Sequence, residues 1–231
     1  MKKICLLCLS LLFLTTVQAD EKIVSPDGKV IVTLCLDNGK PAYQVAYGGQ
    51  TIIAPSALGL VTNIGDYSQG LAQKSVVTKT VNESYALRNI KQSHVNYVAT
   101  EAVVSYEQDG QNVMDITFRV SNRDVAFRYK VYPKKEARVC VVERETSGFV
   151  LPDGTTTFLC PQSKPMGGFA RTSPSYETPY TTDDAMGKNG WGEGYTFPCL
   201  FKAPAGWVLI SETGTDGNYV GCRLLNEKGG A

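Results

Sequence analysis

Between residues 30 and 224 apolar and polar side chains alternate in short runs, and the sustained three-to-four spacing of a helix is missing. Val30, Val32, Leu34 and Leu36 share one face, and Asp37-Asn38-Gly39 closes that run with turn residues, which predicts a half-buried strand. Residues 43–47 and 51–53 flank Gly48-Gly49. Two residues free to take positive φ predict a hairpin with a tight primed turn there. Runs 102–107 and 114–120 flank a loop containing Asp109-Gly110, and 125–132 with 138–143 reads as a further strand pair, so the centre is expected to be a meander.

From 152 to 194 the texture changes to Pro, Gly, Ser, Thr and Asp, and only 156–159 reads as a strand. A loop this long inside a compact domain is usually functional or disordered. Residues 195–202 and 207–211 then flank Ala203-Pro204-Ala205-Gly206, and 219–224 supplies one more strand. About twelve short strands separated by turns predict an all-β fold, a large antiparallel two-sheet sandwich. No internal repeat is visible.

The first nineteen residues break this pattern. Lys2 and Lys3 precede the apolar run 4–14, and Val17-Gln18-Ala19 places small residues before Asp20, the three zones of an export signal with cleavage expected after Ala19. That run is too short to span a bilayer, and no later stretch approaches the roughly 20 apolar residues a spanning helix needs. A periplasmic or secreted protein without membrane insertion is expected. Cys5 and Cys8 lack the context of a lipoprotein processing site.

Charge excludes one class of partner. The formal net charge is +1, and without Lys2 and Lys3 it turns to −1, 21 basic against 22 acidic residues. There is no basic field to attract nucleic acid or an anionic membrane. About 210 residues remain after cleavage, enough to bury a real core. They keep Cys35, Cys140, Cys160, Cys199 and Cys222, an odd number that argues against a disulfide framework and for thiols buried on strands.

Candidate chemistry is confined to carboxylates and aromatics. The chain holds no Gly-x-Ser-x-Gly, no His-Glu-x-x-His and no phosphate-binding glycine loop. Its single histidine, His94, cannot make a multi-histidine metal site and reads as a structural residue. It also excludes the usual aldose mutarotase arrangement, which relies on a His pair. Glycoside hydrolysis needs two carboxylates across one bond. Glu177 lies mid-loop in Ser175-Tyr176-Glu177-Thr178-Pro179-Tyr180, Glu193 in Trp191-Gly192-Glu193-Gly194, and Glu212 at the end of the strand ending Ile210-Ser211. Each could equally be a solvated surface acid. Asp216-Gly217-Asn218 lacks the spaced acidic series of a calcium loop and reads as a turn.

In order along the chain, Ser25-Pro26-Asp27-Gly28-Lys29, Pro55-Ser56-Ala57-Leu58-Gly59-Leu60, Phe118-Arg119-Val120 with Val125-Ala126-Phe127-Arg128-Tyr129, the Tyr176-Glu177 loop, and Phe197-Pro198 through Ser211-Glu212 resemble the N-terminal domain of family 97 glycoside hydrolases. The resemblance covers nearly all of residues 20–231. It implies a β-super-sandwich of galactose-mutarotase-like architecture, packed on a catalytic (β/α)8 barrel that acts on α-glucosides or α-galactosides with calcium in its site. It implies further that Glu177 is the carboxylate this domain lends to that calcium. Glu212 matches a family Glu at a strand end facing the barrel, although Ser211 stands where some members have His. Glu193, Trp191 and Tyr176 are candidates for the substrate site or the barrel interface.

No barrel lies within these residues, and the sandwich is expected to be incomplete at its C-terminal end. The resemblance thus implies a non-catalytic part of an exported α-glycosidase, with carbohydrate and the barrel as partners. The competing reading is a free-standing carbohydrate-binding module with Trp191, Tyr195, Tyr176 and Tyr180 as stacking platforms. A purely structural sandwich is the third.

Overall fold

The structure is a computed structural model that describes residues 20–134, 137–160, 180–187, 194–217 and 221–225. Every named element in it is a strand: β1 (Glu21–Val24), β2 (Val30–Asp37), β3 (Lys40–Tyr47), β4 (Gln50–Ala57), β5 (Leu60–Thr62), β6 (Gly65–Asp66), β7 (Ala72–Ala86), β8 (His94–Gln108), β9 (Gln111–Ser121), β10 (Val125–Val131), β11 (Val142–Glu145), β12 (Thr156–Phe158), β13 (Asp184–Ala185), β14 (Cys199–Ala203) and β15 (Gly206–Ile210). Four antiparallel sheets result, in the orders β1-β2-β3-β4, β7-β8-β9-β10, β6-β5-β11 and β13-β12-β14-β15. The expected all-β, sandwich-like architecture is what the chain adopts. Among the described residues no helix is long and apolar enough to cross a membrane.

Period-two alternation drives this. On β2 the side chains of Val30, Val32 and Leu34 are buried while their neighbours are only partly covered, as the sequence pattern requires. The β3–β4 hairpin turns on Gly48 and Gly49 at φ +57° and +83°, a conformation open to glycine at little steric cost. Asp109 and Gly110 do the same between β8 and β9. Ile23, Val32, Leu34 and Tyr43 of the first sheet share one core with Val104, Ile116, Phe118 and Val120 of the second. Rings knit the two sheets together: Tyr43 lies 6.2 Å from Phe118 and 5.6 Å from Phe127 between centroids, and Phe118 lies 5.7 Å from Phe127. Offset aromatic pairs at such distances add to what area burial alone gives.

The fourth sheet has its own small core of Leu159, Tyr195, Cys199, Phe201 and Ile210. Phe149, Leu151 and Val208 pack against both cores, so this sheet is tied to the main sandwich.

Three expectations change. The segment 138–143 does not pair with β10: the strand there begins only at Val142 and pairs with β5, with an irregularity between Val142 and Arg144. Asn63 is the cause. Its backbone N–H donates to the Val141 carbonyl, its side-chain oxygen accepts from the Val141 N–H, and its Nδ2 donates to the Val139 carbonyl. The alternating valines therefore stay exposed instead of marking a buried face. Second, of 219–224 the described part makes a single bridge, Leu224 to Tyr195, and not a strand. Third, the thiols divide: Cys160 and Cys199 are buried, Cys35 is half-buried, and Cys140 and Cys222 are exposed.

β7 and β8 run antiparallel over fifteen residues each, but β9 accompanies β8 only from Ala99 onward. Residues 82–86 and 94–98 thus form a two-stranded ribbon that reaches beyond the third strand, with His94 exposed at its outer end.

On the outer face of the second sheet, buried Glu101 accepts from Arg119 at 2.7 Å and meets Lys79 at 3.0 Å. The Arg119 bond first, and Lys79 second, hold its carboxyl below the usual range. A depressed folded pKa contributes stability that is fully present above the unfolded value of about 4.5 and is lost as pH falls through the folded value. Urea midpoints of the parent and Glu101→Gln are therefore expected to differ at pH 7 and to converge in acid below that window. A gap that persists unchanged at low pH would show that the ion pair is not its source.

Candidate functional site

A cleft of about 1090 Å³ opens where the segment 144–157 meets the fourth sheet and residues 221–225. That volume suits a small-molecule or oligosaccharide site. Phe149, Leu151, Tyr195, Phe201 and Ile210 supply apolar walls, and Arg144, Glu145, Asp153, Thr157 and Arg223 supply polar groups. A second, smaller hollow of about 270 Å³ shares Arg144 and Thr146 with it and adds Lys40 and Asp66.

One rim of the large cleft is built by a directional chain of hydrogen bonds. The Gly59 N–H donates to the Tyr129 hydroxyl oxygen at 2.9 Å, the Tyr129 and Ser147 hydroxyls lie 2.6 Å apart, and Ser147 donates to Glu145 Oε1 at 2.7 Å. Because the single Ser147 proton points at the carboxylate, the Tyr129 hydroxyl must donate to Ser147 Oγ. Burial pushes the Tyr129 phenol up, which keeps it protonated and a donor. The chain runs from the core to an exposed carboxylate and fixes where Glu145 sits.

Gly59 is needed for a second reason. It has φ +132°, and a Cβ there would come within 2.6 Å of the Ser68 Cα and 2.7 Å of the Tyr67 carbonyl oxygen. Only glycine lets the backbone reach that position to donate to Tyr129.

Glu212 is half-buried just past the end of β15, and its Oε1 accepts from the Cys222 N–H at 2.7 Å. It ties 221–225, one wall of the cleft, to the strand end. Tyr195 is buried in the small core, so it packs and is not an open stacking platform, while Tyr180 is exposed. Glu177, Glu193, Trp191 and Tyr176 lie outside the described residues. Burial first, then the neighbouring Cys160, pushes the Cys199 thiol up to about 12, so it is an inert core group.

Along residues 23–231 the chain matches the family model described as glycosyl-hydrolase 97 N-terminal. The chain belongs to that family. Among curated proteins it is 32% identical over 191 residues to a probable retaining alpha-galactosidase of Streptomyces bingchenggensis (strain BCW-1), covering 83% of this chain and 28% of that protein. A crystal structure of a beta-arabinopyranosidase is 42% identical at a TM-score of 0.85, covering 92% of this chain and 34% of that one. A family 97 enzyme of Pseudoalteromonas sp. strain K8, in complex with panose, shares the fold at 18% identity and a TM-score of 0.67, covering 80% of this chain and 27% of that one. The chain therefore spans about a third or less of the length of these relatives.

The family 97 resemblance brings calcium with it. Among the described residues no three His, Cys, Asp or Glu side chains come together as a metal site. Calcium takes 6–8 oxygens, so the described residues do not by themselves make a site for the ion. Arg144, Glu145 and Ser147 are not singled out in the sequence, and Tyr129 only as the end of the 125–129 segment. Glu143 reads as the end of a strand and Arg144 and Glu145 carry no motif, and only the fold brings Ser147 and Tyr129 behind Glu145.

Proposed function

We propose that this chain is the N-terminal, non-catalytic sandwich of an exported glycosidase acting on pyranosides of galacto configuration, namely α-galactosides or β-arabinopyranosides. The observation that carries this reading is the 42% identity and TM-score of 0.85 over 92% of the chain to one third of a beta-arabinopyranosidase. The 32% identity to a probable retaining alpha-galactosidase points the same way. In the L series a β-arabinopyranoside is an α-galactopyranoside without its C6 hydroxymethyl group, so one pocket stereochemistry serves both. The α-glucoside alternative is supported only by relatives at 18% identity.

In this reading the catalytic carboxylates belong to a (β/α)8 barrel. Glu177 would be one oxygen ligand of a calcium ion held otherwise by the barrel, whose charge would polarise the bound sugar. Within the chain, the cleft holds substrate hydroxyls: Glu145, positioned by Ser147 and Tyr129, accepts, and Arg144 donates. Export rests on the leader reading of residues 1–19.

Grafting residues 20–231 in place of the matching third of the beta-arabinopyranosidase tests this directly. The chimera is expected to hydrolyse nitrophenyl β-L-arabinopyranoside or α-galactopyranoside, and Glu177→Gln to lower kcat/KM by about 100-fold, the scale of losing one group that completes a metal site. A folded chimera whose activity ignores Glu177 would remove its assigned role.

A further inference from the structure

The fourth sheet has two faces, and the cleft lies mainly on one, reaching the other only at Thr156 and Ala185. Its inner face carries Thr157, Cys199, Phe201 and Ile210. On the outer face the register sets Phe158 opposite Leu200 and Leu200 opposite Leu209, and in the next row Thr156 opposite Lys202 and Lys202 opposite Trp207. Trp207 is 60% exposed and Leu209 62% exposed, on a strand at the sheet edge. The indole is braced from the side by Phe158, 5.3 Å away and tilted 46°.

Beside it sits a built polar cluster. Asp183 accepts from the Thr156 hydroxyl at 2.6 Å and meets Lys202 Nζ at 3.6 Å, and that ammonium lies 6.0 Å from the Trp207 ring centroid. The Thr156 bond first, with Lys202 behind it, holds the Asp183 carboxyl below the usual range. Asp183 also has φ +55°.

We propose that this outer face is a second carbohydrate contact surface, on which a galacto-configured pyranoside stacks its apolar side on Trp207 and offers its hydroxyls to Lys202 and Asp183. The configuration rests on the function proposed above; the platform rests on the residues alone. In a galactopyranoside the axial O4 leaves C3–H, C4–H and C5–H together on the opposite side of the ring, a flat apolar patch that fits an indole. Cross-strand spacing sets the polar cluster about 5–10 Å from the ring, within reach of hydroxyls on the same sugar or its neighbour. A protein surface fits less well. It would bury a charged pair at its centre, where Lys and Asp are depleted and desolvation is costly. Sugar hydroxyls instead satisfy both charges.

The test uses the full chain and its two tryptophans, Trp191 and Trp207. Titration with melibiose is expected to give saturable quenching at sugar concentrations on the order of millimolar. The signal should survive in Trp191→Phe and vanish in Trp207→Ala, with calorimetry showing at least tenfold weaker binding by Lys202→Ala. Maltotriose should quench far less. Quenching by maltotriose in place of melibiose would leave the Trp207 platform standing and overturn the galacto configuration. No quenching by either sugar, or quenching lost only with Trp191, would overturn the platform itself. Overturning it too would be a mass by light scattering that falls on dilution and drops to monomer in Trp207→Ala, which would make this face a contact between copies.

Discussion

Given nitrophenyl α-galactopyranoside, the purified chain is expected to release no nitrophenol above the uncatalysed rate. Glycoside hydrolysis places one carboxyl as acid and a second as nucleophile or base, about 5–9.5 Å apart across the scissile bond. In the proposed reading both belong to the barrel, and the chain brings at most one metal ligand, Glu177. Enzymes accelerate such reactions by at least about 10⁶-fold, so loss of the pair takes away the whole effect. The competing pair is Glu145 and Asp153, which line the same cleft. Turnover by clean protein that disappears in Glu145→Gln or Asp153→Asn would make the cleft itself catalytic and reverse the assignment.

The second large effect is expected at Phe118. Its ring is fully buried on β9 and closes a triangle with Tyr43 of the first sheet and Phe127 of the second, so it helps join the two main sheets. Truncation to alanine removes the ring and leaves a cavity that neighbours on two sheets cannot easily close, a change that typically costs about 3–5 kcal/mol. Domains of this kind are stable by only about 5–15 kcal/mol. The urea midpoint should fall steeply with little change in slope. Val77→Ala, at a side chain that is mostly exposed on β7, should move it by about 0.5 kcal/mol or less. Equal effects at the two positions would mean that the core lies elsewhere.

Legibility in the sequence followed burial. β2 and β3 showed in the alternation because one face of each is buried and the other only partly covered, and Gly48-Gly49 marked its hairpin because few other residues turn that way. β7 did not show. Nearly all its side chains face water, so nothing selects alternation, and its partner β8 supplies the order. Residues 138–143 misled for the opposite reason: Val139 and Val141 alternate, but Asn63 holds their backbone in a connection that leaves them outside. The site divided the same way. Glu212 was visible as an acid at a strand end, whereas its hydrogen bond to the Cys222 N–H depends on how the chain turns back after the strand. The Gly59–Tyr129–Ser147–Glu145 chain joins residues separated by up to 88 positions, with Gly59 to Tyr129 alone spanning 70. No local pattern reports such a convergence. Trp207 was placed correctly on a strand, but which side of the sheet it occupies depends on the register with β14.

The ribbon formed by 82–86 and 94–98 offers a handle for engineering. Its tip closes on a backbone bond from the Leu87 N–H to the Ser93 carbonyl at 2.7 Å, so the two ends of any inserted segment would start side by side. Pairing with a third strand begins only at Ala99, and the main core is not reached by the tip. Exposed tips of this kind are the places where chains accept insertions. A fluorescent reporter or affinity peptide spliced between 88 and 92 would leave the main core intact and touch no residue that lines the cleft or braces Trp207, so the protein could be tethered or tracked by a segment its ligands do not use.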